Sequence, residues 1–214
     1  MLKQAILSFT ILLLTSLPVL GQVDQLAIYS QAPTITIDNP FAGQVLPAGQ
    51  SITIGWRSVN VDNVGIASQS LLLSLDGGAT FQNIADFGGD VSTFTINNLD
   101  KATANGRVKI IATDLADNQG EEVASFMLMP MIIEPTYNKS ILSITGVGFT
   151  SSTPEATTKV LINGKEIPTS RVTISDNTSI TARGNKKKLG LKKGDNTVQV
   201  VVDNVVSNTA NFQF

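Results

Sequence analysis

The stretch Ser51-Ile52-Thr53-Ile54-Gly55-Trp56-Arg57-Ser58 alternates with a period of two. In an extended chain this puts Ile52, Ile54 and Trp56 on one face and Thr53, Gly55 and Arg57 on the other. The pattern predicts a strand half sunk in a core, with Trp56 a core residue rather than a ligand contact. The same period recurs on both sides. Strands are expected at 34–37, 51–58, 70–75, 80–85, 92–96, 107–113 and 122–128. The third and fourth flank the turn Asp76-Gly77-Gly78, and Val108, Ile110 and Ala112 point inward in the sixth. Met129-Pro130-Met131 then breaks the pattern. A second set follows at 141–145, 159–162, 165–167, 171–174, 179–182, 197–203 and 209–214. One of its hairpins turns on Asn163-Gly164, a pair that favours the type I′ turn. Short, regularly spaced strands without any 3.6-residue period predict an all-β chain of two tandem β-sandwiches, at 33–129 and 130–214.

The 214 residues include no histidine and no cysteine. Histidine is the usual proton carrier near neutral pH, and the two residues together dominate zinc and transition-metal sites. What remains for chemistry is carboxylate pairs, Ser–Lys dyads and oxygen-ligated calcium. The acids sit at turns rather than across a cleft, and no Ser-x-x-Lys stands in a convincing context, so no enzyme is expected.

The first 21 residues read as an export signal. Lys3 gives the positive start, 5–20 is mostly apolar, and Val19 and Gly21 occupy the small-residue positions before a cleavage site. A membrane anchor is the alternative, but Ser8, Thr10, Thr15, Ser16 and Pro18 dilute a run already short for spanning. A leader at 22–32, with Tyr29 in it, then precedes the first strand. No cysteine follows the apolar run, which argues against a lipid anchor, and no later stretch is long enough to span a bilayer. The expected location is secreted, periplasmic or cell-surface. Lack of disulfides in an exported chain fits a bacterial source better than a eukaryotic one. Asn138-Lys139-Ser140 and Asn177-Thr178-Ser179 match the glycosylation pattern by chance on this reading.

Charge divides where the pattern breaks. Residues 23–129 hold 11 acidic and 4 basic residues, a net of −7; residues 130–214 hold 6 and 10, a net of +4. Such asymmetry could favour head-to-tail association or simply keep each half soluble. The densest cluster is Arg183-Gly184-Asn185-Lys186-Lys187-Lys188 with Lys192-Lys193. Lys186, Lys187, Lys188, Lys192 and Lys193 could track a polyanion by counterion release, or form a solvated loop guarding an edge strand. Without interleaved aromatics, and in an exported chain, nucleic acid is not the expected partner. Asp114, Asp117 and Asn118 share a loop near Glu121 and Glu122, which could gather oxygens for calcium with Asp62 or Asp38. Equally, the loop could be an Asn/Asp turn capping its own backbone.

The first half resembles fibronectin type III and bacterial immunoglobulin-like modules. The residues concerned are the strand through Trp56, the stretch from Arg107-Val108-Lys109-Ile110 to Asp114, and the turn Asp117-Asn118-Gln119-Gly120. The second half resembles the IPT/TIG type of immunoglobulin-like domain. It shares Gly146-Val147-Gly148-Phe149, Ile162-Asn163-Gly164, and Gly194-Asp195-Asn196. Ser74-Leu75-Asp76-Gly77-Gly78-Ala79-Thr80-Phe81 is similar to the Asp-box hairpin of sialidases, with Phe for Trp, and implies a turn role for Asp76 with the aromatic packed inward. These resemblances imply two tandem immunoglobulin-like sandwiches in a non-catalytic binding, adhesion or scaffold protein of the cell envelope. A protein or polysaccharide is the implied partner. A carbohydrate-binding accessory role, with calcium as the candidate ion, is the alternative.

Overall fold

A computed structural model describes residues 31–89, 91–153 and 155–213. The export signal and nearly all of the leader, Tyr29 included, lie outside the described residues. Among those described, no helix is long and apolar enough to cross a membrane.

The first half contributes β1 (Thr34–Asn39), β2 (Gln44–Pro47), β3 (Ile52–Val59), β4 (Ile66–Ser74), β5 (Gln82–Gly88), β6 (Thr93–Ile96), β7 (Thr103–Asp114) and β8 (Gln119–Met129). They make a three-stranded sheet β1-β3-β6 and a five-stranded sheet β2-β8-β7-β4-β5. The inward faces meet as expected from the alternation. Ile52, Ile54 and Trp56 pack with Leu71, Val108, Ile110 and Phe126. Trp56 is 2% exposed. Its indole N–H needs a partner once buried, and donates to Gln69 Oε1 on the facing sheet at 2.8 Å. The Gln69 amide in turn donates to the carbonyls of Gly89 and Val91. This buried side chain therefore fixes the two sheets and the connection after β5 together.

The second half contributes β9 (Met131–Asn138), β10 (Ile141–Val147), β11 (Thr158–Ile162), β12 (Lys165–Glu166), a 3-10 turn (Thr169–Arg171), β13 (Val172–Ile174), β14 (Ser179–Arg183), β15 (Asn196–Val202), β16 (Val205–Val206) and β17 (Ala210–Phe212). One sheet runs β13-β14-β10-β9; the other runs β12-β11-β15-β16, with β17 also on β15. Leu142, Ile144, Phe149, Val160, Ile180, Val198 and Val200 fill the space between. Asn208 closes the side of this sandwich: its Oδ1 accepts the Ile132 N–H at 2.7 Å and its amide donates to the Ile132 carbonyl at 3.0 Å. A side chain thus replaces a ladder pair and ties β9 to the opposite sheet.

The alternation missed β2, β9 and β16. β2 is a four-residue edge strand paired parallel to β8. β9 carries Pro135 at its middle and buries only Ile132, so neither shows the expected period. Proline is tolerated there because an edge strand has one hydrogen-bonding side unused. The strand also places Tyr137. It stands near the far end of β9, its hydroxyl donating to the Gly184 carbonyl at 3.2 Å, not at the joint between the halves.

That joint is tight. Pro130 alone separates β8 from β9, and it is buried. Ala102 bridges to Ser151, and its N–H donates to the Thr150 carbonyl at 3.1 Å. The Asn177 amide donates to the Asp100 carbonyl at 2.7 Å, while Asp203 Oδ2 accepts the Ala104 N–H at 3.0 Å. Asn177, read in sequence only as part of a glycosylation pattern, is committed here as a clasp. Gly148 lies beneath Ala48, close enough that an added Cβ would come within 2.8 Å of the Ala48 Cβ.

Candidate anion-binding pole

The lysine cluster lies on the connection from β14 to β15, at the end of the second sandwich away from the joint. Four features make this connection rigid. Asn185 caps a tight turn, accepting the Lys188 N–H on Oδ1 at 2.9 Å and the Leu189 N–H on its carbonyl at 3.0 Å. Leu189, fully buried, pins the turn to the core. Asn196 is also fully buried. It donates to the carbonyls of Lys192 and Gly194, and accepts from the Lys192 N–H and the Asn163 amide. Asn163 adds a bond to the Gly190 carbonyl and accepts the Thr197 N–H. Both asparagines have every side-chain group satisfied, so the polar interior holds the loop instead of weakening it.

Other cations converge on the same end. Lys165 follows the Asn163-Gly164 turn, Arg171 ends the 3-10 turn, Arg183 ends β14 and Lys139 lies between β9 and β10. Of the ten basic residues after Pro130, all but Lys159 are at this pole. Glu166 there pairs with Lys159 at 3.4 Å, and Asp195 accepts the Gln213 amide. A cavity of about 480 Å³ is lined by Lys165, Arg171, Lys187, Lys188 and Lys192, with Glu166 as its one acidic residue, around exposed Pro168. Another, of about 540 Å³, is lined by Tyr137, Lys139, Ser140, Asn185, Lys186 and Lys187. The sequence pointed to five of these cations. It could not bring in Lys139, Lys165, Arg171 or Tyr137, which lie far along the chain and meet only through strand pairing. Lys193 stands in the same connection but lines neither cavity.

No family model matches the sequence, and no curated protein matches it. Solved structures similar to it include fibronectin-like and immunoglobulin-like domains. The fibronectin(III)-like modules of Clostridium thermocellum CbhA are 18% identical, over 83% of this chain and 91% of theirs, with a TM-score of 0.35. Murine CEACAM1b is 15% identical over 83% of this chain and 96% of its own, at 0.29. The Ig1-2 module of the Drosophila receptor phosphatase DLAR is 11% identical over 85% and 97%, at 0.29. By their own strand order both halves here are all-β and built of two sheets each; nothing about what this chain binds follows from these neighbours.

The calcium candidates come together as a turn. Asp114 is fully buried at the end of β7. Its Oδ1 accepts the N–H groups of Ala116 and Asn118, both at 2.8 Å, and its Oδ2 accepts the Asn118 amide at 3.0 Å and the Asn60 amide at 2.7 Å. Burial pushes this carboxyl up, but those hydrogen bonds outweigh it and hold it below the usual carboxylate range. Asp117 takes the left-handed conformation that the turn requires. Among the described residues, no three acidic side chains stand close enough to hold a metal ion. The expected calcium set of Asp114, Asp117 and Asn118 is therefore organised by N–H donors, with the Asp114 oxygens already occupied.

Asp76 has the turn role implied by the Asp-box resemblance. It accepts the hydroxyl and N–H of Thr80 and the hydroxyl of Ser74, which together hold its carboxyl far below the usual range. Phe81 departs from expectation. It is half-buried rather than inward, and the Lys109 ammonium sits 4.9 Å from its ring centre. The last strand, β17, pairs antiparallel with β15.

Proposed function

We propose that this chain is a non-catalytic binding and scaffold protein of the bacterial cell envelope, exported and acting through the basic pole of its second sandwich. The observation that carries this reading is the convergence of cations from four separate connections onto a loop fixed by Asn163, Asn185, Asn196 and Leu189. A preorganised loop spends less ordering entropy on binding than a mobile one. Clustered positive charge attracts anionic polymers and speeds their encounter. The tight joint then holds the pole at a fixed distance from the acidic first sandwich. Likeness of the second half to IPT/TIG domains of bacterial surface proteins points the same way.

The test is retention of the purified protein on immobilised anionic envelope polysaccharide at ~50 and ~500 mM salt, with calcium or with chelator. Binding is expected at low salt, to weaken strongly at high salt, and to ignore the chelator. If each exposed charge pair contributes about 0.2–1 kcal/mol, replacing Lys187 and Lys188 together by Ala weakens binding about 2- to 30-fold. Salt-insensitive binding, or none, sinks the proposal.

A further inference from the structure

Two cavities meet at one residue: Lys187 lines both. One continues past it to Lys165, Arg171, Lys188 and Lys192; the other to Tyr137, Lys139 and Lys186. A compact anion would fill one cavity and leave the cations of the other unmet. We propose that the two cavities form one track, crossing Lys187, for a linear acidic polysaccharide. This rests on the reading of the pole as the binding surface and names its ligand class.

The linings favour acidic sugars over other anions. Exposed Pro168 on one side and the half-buried Tyr137 ring on the other give apolar surface for the C–H faces of sugar rings. Ser140 and Asn185 stand beside Tyr137 among the cations, polar groups of the kind that meet sugar hydroxyls. A polyphosphate would use the ammonium groups and leave Pro168 and the Tyr137 ring unused. An acidic peptide would bind best by adding to a sheet edge; of the edges that reach this pole, β12 is only two residues long, and β9 carries Pro135, which has no N–H to give a further strand.

Calorimetric titration of the purified protein at low salt with galacturonate and its oligomers of increasing length tests the track. Polyphosphate, inorganic phosphate and neutral dextran serve as comparison ligands. Affinity is expected to rise steeply with oligomer length until both cavities are spanned, then level off. Lys165→Glu with Lys188→Glu disables one side, and Lys139→Glu with Lys186→Glu the other. All four positions are exposed, and an unchanged melting midpoint confirms the fold. Each pair of substitutions is expected to weaken polymer binding at least about tenfold, roughly the loss of one side's two close charge pairs. Equal affinity for monomer and polymer, or sensitivity to only one pair, overturns the track while leaving a charged pole. Polyphosphate binding as tightly as polygalacturonate overturns the sugar assignment alone. No binding of any anion overturns both this inference and the reading it rests on.

Discussion

Gly148 offers a sharp test of the joint. The sequence supports a tight bend there, and the structure adds a second constraint. Gly148 has φ +81°, and an added Cβ would lie 2.8 Å from the Ala48 Cβ and 3.1 Å from the Pro130 Cα. Gly148→Ala therefore incurs about 1–2 kcal/mol for a left-handed alanine and about 1–3 kcal/mol for overpacking against the first sandwich. The internal control is Gly164→Ala. Gly164 has φ +76° but nothing within 4 Å of an added Cβ, so it incurs only the conformational part. At about 2–4 °C per kcal/mol for a chain this size, the expected drops in melting midpoint are roughly 4–20 °C for Gly148→Ala and 2–8 °C for Gly164→Ala. Calorimetric unfolding of both variants measures the difference. Adding Ala48→Gly to Gly148→Ala removes the nearest contact and should restore part of the loss, a coupling that a double-mutant cycle reads directly. If Gly148→Ala costs no more than Gly164→Ala, or if Ala48→Gly restores nothing, then the packing of the two sandwiches against each other is not as described.

Gln69→Leu is expected to destabilise the first sandwich by about 1–3 kcal/mol, since it strands the buried Trp56 N–H and two carbonyls. Urea unfolding followed by Trp56 fluorescence checks this, and a loss under about 0.5 kcal/mol would contradict the role given to Gln69. Asp76, Asp114 and Asp176 all have carboxyls lowered on folding. Their contribution is thus complete above the ordinary unfolded pKa of ~4 and is lost as pH falls through the lower folded values. Melting midpoints from pH 7 to pH 2 should fall mainly below about pH 4, and Asp76→Asn should flatten that fall; an unchanged slope would refute the part assigned to Asp76.

Much of the architecture is local and therefore readable. Ile52, Ile54 and Trp56 commit β3 to one core face whatever surrounds it, because a period of two has only two faces to choose between. Asn163-Gly164 and Asp76-Gly77-Gly78 fix their turns through positive φ, a property of the residues themselves. The lysine cluster was visible as composition. Two edge strands were not: β2 buries none of its four residues and β9 buries only Ile132, so no alternation marks them.

Tertiary structure alone decided everything that depends on residues distant in the chain. Asn177 clasps Asp100, and Asn208 substitutes for a backbone pair at Ile132, across separations of 77 and 76 residues. The Asp114 carboxylate is satisfied in part by Asn60, 54 residues away, which is why a set of calcium-like oxygens became a self-contained turn. Lys139, Lys165 and Arg171 join Lys186, Lys187, Lys188 and Lys192 only because antiparallel pairing returns their connections to one pole. Sequence patterns report which face of a strand is apolar; they carry no record of which loops the folded sheets bring side by side.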